Sequence, residues 1–328
     1  MTLQELRYLV ALADRRHFVS AATACHVGQP TLSMQLKKLE DYLGVKLFER
    51  DRHHVRPTPI GMEIVERARI ALGEVEQIRE LARQARDPMD GPLRLGVIPT
   101  LGPYLIPYLL PALSVAFPKL RLVLHEEPRA GLIEGLRQYR YDVLMLALPA
   151  PDGQDMTSRA LFREAFVVAL PSGHPLACRS HIGRDELAGQ NLLVLEEGHC
   201  MREQVLAVLG LPLDECRDER RASSLESLRQ MVAAGVGCTL LPALAVQPGA
   251  GSSADGSVQV RPFAPPVPAR TIGMVWRRGH SRWSTVRTLA EFVQARLPAA
   301  VEPIPLEGGV AGHGEAARAP GGSGLRVP

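Results

Sequence analysis

Five cysteines are the residues of this 328-residue chain with redox chemistry to offer, and one of them, Cys200, stands where a thiol could be activated. The segment LEEGHCMREQ places it just ahead of a helix predicted over Met201 to Leu209, where unpaired N–H groups and the helix dipole favour a thiolate. His199 and Arg202 stand to add positive charge, while Glu196, Glu197 and Glu203 oppose it. These residues alone leave a reactive and an inert thiol equally open. Cys25 falls on the apolar stripe of a helix and Cys238 inside an apolar strand, so both read as core. Cys178, beside Arg179, and Cys216, among Asp214, Glu215 and Arg217, read as exposed. An odd count with no CxxC argues against a secreted disulfide framework or a structural zinc site.

A second group of residues has the chemistry of a DNA reader. Phe18, Ala21, Ala22 and Cys25 put one apolar stripe on a short helix. His26 to Gln29 make a turn in which Gly28 is free to take a positive φ, and Pro30 opens a second helix. Leu32, Leu36, Leu39 and Leu43 share the buried face of that helix. Its other face offers Gln29, Pro30, Thr31, Ser33, Met34, Lys37 and Lys38, a mixture suited to phosphates and base edges. Val45 to Thr58 alternates as a β wing, with Arg50, Arg52 and Arg56 flanking His53 and His54. That histidine pair lacks a nearby third metal ligand and reads as a solvated wing tip. The bland alternative, a helical hairpin with a wet face, does not explain tight turn, proline start and cationic wing together.

Four segments are needed to carry these groups. Residues 1–58 form the predicted winged helix-turn-helix, with Leu6, Leu9, Val10 and Ala13 on one face of an opening helix. Residues 59–90 form a linker: from Thr58 to Arg86 the stripe Val65, Ala68, Leu72, Val75, Ile78 and Ala82 implies a rod of roughly 44 Å and a dimerisation seam. It ends at Asp87-Pro88-Met89-Asp90-Gly91-Pro92. Residues 91–300 alternate strand and helix through LRLGVI, RLVLHE, DVLMLAL, AFVVAL, NLLVL, CTLLP, VQVRPF and RTIGMVW, which predicts two α/β lobes on mostly parallel sheet. Their strand ends leave a crevice where Thr100 and the Gly198-His199-Cys200 loop converge. Residues 301–328, rich in Gly, Ala and Pro, read as a disordered tail, and Gly249 to Gly256 as a Gly/Ser loop.

Charge and missing motifs narrow the function. Residues 1–57 carry nine Lys/Arg against six Asp/Glu, which leaves +3, as large as the net charge of the whole chain. No apolar run reaches the roughly 18 residues of a membrane span, and no signal-peptide core opens the chain, so a cytoplasmic protein is expected. GVGCTL is no dinucleotide fingerprint, and Walker, HExxH and GxSxG motifs are missing, so neither a cofactor nor a catalytic site is expected.

The chain resembles the LysR-type transcriptional regulators. RHF, CHVGQPTLS, KLEDYLGV, GPLRLGVIPTLGPYLIP, FPKL, LEEGHCMREQ, SLESLRQMVAAG, TLLPALAV and RTIGMVW together resemble their peroxide-sensing, OxyR-like branch over about residues 1–300. The resemblance implies a winged helix-turn-helix, a linker helix for dimers, and a two-lobed regulatory domain like a periplasmic binding protein, assembled as a homodimer or homotetramer. It implies an activator without enzymatic turnover that binds promoter DNA, works with RNA polymerase and controls antioxidant-defence genes. The sensing cysteine maps onto Cys200, and peroxide-pocket positions map onto Thr100, His199 and Arg270, with Glu203 beside them. Two positions depart from the family pattern. Arg129 stands in HEEPRAG where the family has a threonine, and the resolving cysteine nine residues beyond the sensing one is here Leu209, which leaves Cys216 as the nearby substitute. Two endpoints therefore stand open, a Cys200–Cys216 disulfide and a one-cysteine sulfenic switch. A regulator answering a small metabolite would keep its response after Cys200→Ser, and a thiol peroxidase would turn over peroxide with a reductant.

Overall fold

The computed structural model describes residues 1–50, 55–84, 87–150, 155–212, 221–247 and 256–305. Thr2 opens helix α1 (Leu3–Arg15) through a capping box: its hydroxyl accepts from the Glu5 N–H, and the Glu5 carboxylate accepts from the Thr2 N–H. Helices α2 (Phe18–Ala24) and α3 (Gln29–Leu43) follow, and Leu9, Leu12, Ala21, Ala22, Leu32, Leu36 and Leu39 close a core among the three. The turn between α2 and α3 differs from expectation. Gly28 has an ordinary φ of −72° as the residue before α3, and His26, at φ 55°, takes the left-handed conformation. Pro30 is the second helical residue, where a missing N–H is equally harmless.

Strands β1 (Phe48–Arg50) and β2 (Val55–Pro57) pair antiparallel as the wing. The wing hangs on Glu40, a buried carboxylate of α3 that accepts from the N–H groups of Leu47 at 2.9 Å and Phe48 at 3.4 Å and pairs with Lys46 at 3.2 Å. Burial pushes the Glu40 carboxyl up, yet these bonds prevail and hold it below its ordinary value. Arg52, His53 and His54 lie outside the described residues.

Helix α4 (Pro59–Gln84) runs 26 residues, a rod of about 39 Å. The expected seam divides. Val65 and Ala68 are buried against α1 of their own chain, where Arg69 also pairs with Asp14. Ile78 is 67 % exposed and Ala82 exposed, so the stripe is open to a partner in its second half alone.

The regulatory region begins with β3 (Gly91–Val97), α5 (Gly102–Ala116), β4 (Leu120–Glu126), α6 (Arg129–Arg137) and β5 (Val143–Leu148). Then come the sixteen-residue β6 (Met156–Pro171), β7 (Val194–Leu195), α7 (Cys200–Leu209), β8 (Arg221–Ala222), α8 (Leu225–Ala233), β9 (Thr239–Pro242), β10 (Val258–Pro262), β11 (Ala269–Arg277), α9 (Trp283–Gln294) and β12 (Val301–Pro303). The order in the main sheet is β10-β6-β11-β5-β3-β4, with β9 and β12 also on β6. A mostly parallel sheet was the expectation, but β6 is antiparallel to each of its partners and β11 is antiparallel to β5. Parallel pairing holds for β3 with β4 and β5, and for β7 with β8. The reason is reach: β6 returns from one lobe to the other, a long-range pairing that local alternation does not encode.

Two cores result. The first gathers Leu93, Leu105, Val143, Met274 and Leu289 from β3, α5, β5, β11 and α9; the second gathers Phe166, Val205, Leu228, Leu240 and Phe263. β6 enters the first through Leu161 and Phe162 and the second through Phe166 and Val168. Disorder was expected from Val301, but Val301–Pro303 pairs with β6 and Val301 is buried. Residues 306–328, Gly249 to Asp255 of the expected Gly249 to Gly256 loop, and Cys216 lie outside the described residues.

Candidate functional site

Cys200 is the first residue of α7 rather than the one before it, preceded by His199 and by Gly198, whose φ of +91° suits glycine. Its side chain is 8 % exposed and packs into the first core, whereas Met201, Val205 and Leu206 of the same helix pack into the second. The sulfur therefore sits on the seam between lobes.

Behind it lies a buried polar chain. Arg270 on β11 donates from Nε to Glu164 at 2.8 Å, from Nη1 to the Thr100 hydroxyl at 2.9 Å and from Nη2 to the Thr100 carbonyl at 2.9 Å. The second Glu164 oxygen accepts from the Leu244 N–H at 2.9 Å. The Arg270 bond uses a lone pair of the Thr100 hydroxyl and leaves its proton for another acceptor. Thr100, Arg129, His199 and Cys200 line a cavity of about 10 Å³, room for a molecule near the size of water. A wider cleft of about 390 Å³ also reaches Cys200, between Arg129 and Glu203.

The electrostatics correct one expectation. Burial pushes the Cys200 thiol up from its ordinary value; the charges of Arg270 and then Arg129 pull it back, and Glu203 pushes it up again. Desolvation outweighs the helix start and the nearby arginines, so the Cys200 thiol is held above its ordinary value. Arg202, expected to assist, is buried and turned to Glu197 at 3.8 Å. Arg129, the departure from the family pattern, supplies positive charge instead: it starts α6 and donates to the Pro149 carbonyl.

Sequence reasoning passed over Glu164. Its signal was the single carboxylate of the segment MTSRALFREAFVVALP, directly before the apolar run AFVVAL. The remaining cysteines are simpler. Cys238, just before β9, is buried and its thiol is pushed up to about 11 by burial. Cys25 is half-buried and Cys178 exposed. The helix α7 separates positions 200 and 209 by nine rises, about 14 Å, twice what a disulfide spans.

On the DNA-reading side, Gln29, Pro30, Thr31, Met34, Lys37 and Lys38 are exposed on α3 and Ser33 is half-buried. Arg50 ends β1.

Comparison with known proteins agrees with both halves. Residues 3–62 match the family described as bacterial regulatory helix-turn-helix protein, lysR family, and residues 86–298 match the LysR substrate binding domain. The chain is 46 % identical over 300 residues to the DNA-binding transcriptional dual regulator OxyR of Escherichia coli, covering 90 % of this chain and 96 % of that one. It is 40 % identical over 279 residues to a hydrogen peroxide-inducible genes activator of Haemophilus influenzae, covering 85 % and 91 %. A full-length OxyR of Pseudomonas aeruginosa carrying a cysteine-to-aspartate change matches with a TM-score of 0.77 at 41 % identity over 93 % of this chain and 98 % of that one. A hydrogen peroxide-bound OxyR mutant of Corynebacterium glutamicum matches with a TM-score of 0.62 at 33 % identity, over 90 % and 92 %. The chain belongs to the LysR family of bacterial transcriptional regulators.

Proposed function

We propose that this chain is a DNA-binding transcriptional activator that senses hydrogen peroxide by oxidation of Cys200 and controls antioxidant-defence genes. The observation that carries the reading is the placement of Cys200, buried on the seam between two cores and sharing a water-sized cavity with Thr100 and His199, under the charges of Arg270 and Arg129. After loss of its proton the sulfur attacks one peroxide oxygen. The S–O bond forms as the O–O bond breaks, sulfur is oxidised by two electrons to sulfenic acid, and the leaving hydroxide takes a proton to become water. In this reading the Thr100 hydroxyl, whose oxygen already accepts from Arg270, donates its proton to the peroxide.

The product is larger and more polar than the thiol, in a site packed as core. It therefore favours separation of Cys200 from the first core, and α7 moves with it. We take the sulfenic acid, or its mixed disulfide with a small thiol, as the endpoint, because position 209 is Leu and α7 keeps it distant. The alternative is a Cys200–Cys216 disulfide beyond the helix end at Gly210.

The partners follow from exposed surfaces. Promoter DNA faces the outer side of α3 and the wing. The open second half of α4 serves a homodimer, and the exposed apolar residues Tyr108 and Val115 of α5, with Val123 of β4, supply the second contact of a homotetramer. RNA polymerase is the partner that activation requires, and the cytoplasm the setting. Among the described residues no helix is long and apolar enough to cross a membrane.

The test is mass spectrometry of peroxide-treated protein with a sulfenic-acid trap, alongside promoter activity. The trap should label Cys200, and Cys200→Ser should lose the response. A response that survives Cys200→Ser defeats the reading. Loss of the response in Cys216→Ala while Cys200 still traps would identify Cys216 as the resolving partner.

A further inference from the structure

A second cavity, of about 450 Å³, lies between the linker helix and the first core, and Cys200 is not among its walls. One wall is α4, with Arg69, Gly73 and Gln77; the other holds Asp142, Arg277 and His280. The two walls are locked together. A Cβ on Gly73 would stand 2.2 Å from the ring of Tyr139, so only glycine allows that contact. The Tyr139 hydroxyl donates to Glu74, and the Ser281 N–H donates to Gln77 at 3.4 Å.

The regulatory wall contains buried polar atoms without hydrogen bonds among the described residues. His280 is 6 % exposed, and neither of its ring nitrogens has a hydrogen-bond partner among the described residues; the Ser281 hydroxyl and the Arg277 Nε are in the same position. Buried polar groups in native proteins are satisfied, so unsatisfied ones lying just behind the wall of a cavity mark a wall that a bound molecule can complete as it packs there. The charge indicates its sign. Six arginines line the cavity against the two carboxylates Glu76 and Asp142. Arg69, Arg94 and Arg140 have carboxylate partners in Asp14, Asp142 and Glu127. Arg277 donates to the carbonyls of Leu136 and Tyr141, which are neutral, and lies over the Tyr139 ring with Asp142 as its strongest acidic influence.

We propose that this cavity binds a small organic anion carrying two or more carboxylate or phosphate groups, and that the occupant ties α4 to the first core. The volume lies within the roughly 300–1,000 Å³ of small-molecule sites, and an inorganic oxyanion would fill only a corner. Arg277 and His280 take the anionic end deep in the cavity, and Arg7 of α1 guards the mouth from the DNA-binding side. An occupant that touches both walls fixes the angle at which α4 leaves the regulatory region, and that angle sets the spacing of the α3 helices in the assembly. The regulator thereby has a metabolic input separate from its redox input.

The test uses the full-length chain, reduced with dithiothreitol, titrated with citrate by calorimetry at constant ionic strength set with chloride. One citrate per chain should bind. Affinity should fall by about tenfold or more in Arg7→Glu, an exposed change that disturbs no buried contact, and in His280→Gln. Amide exchange around Gly73 should slow when citrate binds. No citrate binding, or equal affinity in wild type and both variants, overturns the proposal. Because the protein stays reduced, neither result bears on Cys200.

Discussion

Arg270 and Glu164 pair at 2.8 Å with both side chains fully buried, 106 positions apart in the chain, where the two cores of the regulatory region meet. Removing one partner strands the other charge in an interior that cannot hydrate it. Glu164→Ala should therefore destabilise the regulatory region by about 3–5 kcal/mol. Glu164→Leu combined with Arg270→Met should regain much of that loss, as denaturant unfolding of the single and double variants would reveal. Equal stability of wild type and Glu164→Ala would show that the pair contributes nothing.

The rate at which peroxide oxidises Cys200 should follow pH. Burial raises the thiol above its ordinary value, so at neutral pH the thiolate fraction, and with it the rate, should climb about tenfold per pH unit. Arg129→Ala removes a charge that lowers the thiol and should slow oxidation; Glu203→Gln removes one that raises it and should speed oxidation. Stopped-flow rates of the three proteins at one pH decide the signs.

Acid should weaken the fold through His280. Burial, with Arg277 next, pulls this imidazole down to about 4 from 6.5, so the folded state holds it neutral where the unfolded chain protonates it. The stability that neutrality contributes is complete above about pH 6.5 and is lost as pH falls toward about 4, up to about 3 kcal/mol. His280→Gln should flatten this part of the stability profile. An unchanged slope in the variant would assign the acid sensitivity elsewhere.

Binding to promoter DNA should weaken steeply with salt as counterions are released. Lys37→Ala on α3 should reduce affinity and alter sequence preference. Glu40→Ala should weaken binding without touching DNA, because the carboxylate anchors the Leu47 and Phe48 N–H groups at the base of the wing. Fluorescence anisotropy against salt with matched and scrambled sites separates these effects.

The DNA-reading half was legible because its signals are local: helical period on Leu32, Leu36 and Leu39, a proline at the helix start, and a cationic alternating wing. The division of the linker stripe was not, since periodicity says that Val65 and Ala68 are buried but not against which surface. The same limit hid Glu164, whose partner lies on β11, and the direction of the Cys200 shift. A helix start is visible in sequence, whereas the burial that overrides it comes from segments distant in the chain, such as Ile98 to Thr100 and Pro128-Arg129. Arg129 was noticed as a departure, but its favourable charge became evident only when α6 was set beside α7.

Strand β6 belongs to both cores and is flanked along its length by β9, β10, β11 and β12. A strand laced into ladders on both sides resists sliding, and it cannot be split without breaking main-chain hydrogen bonds in either lobe. The soft deformation left to the pair is torsion about that strand, in the sense sheets already twist. On the proposed reading, displacement of the sulfur at the seam would reach the linker as a rotation rather than as the opening of a jaw. What such a rotation would change is the angle of the DNA-reading helices rather than a distance between the lobes.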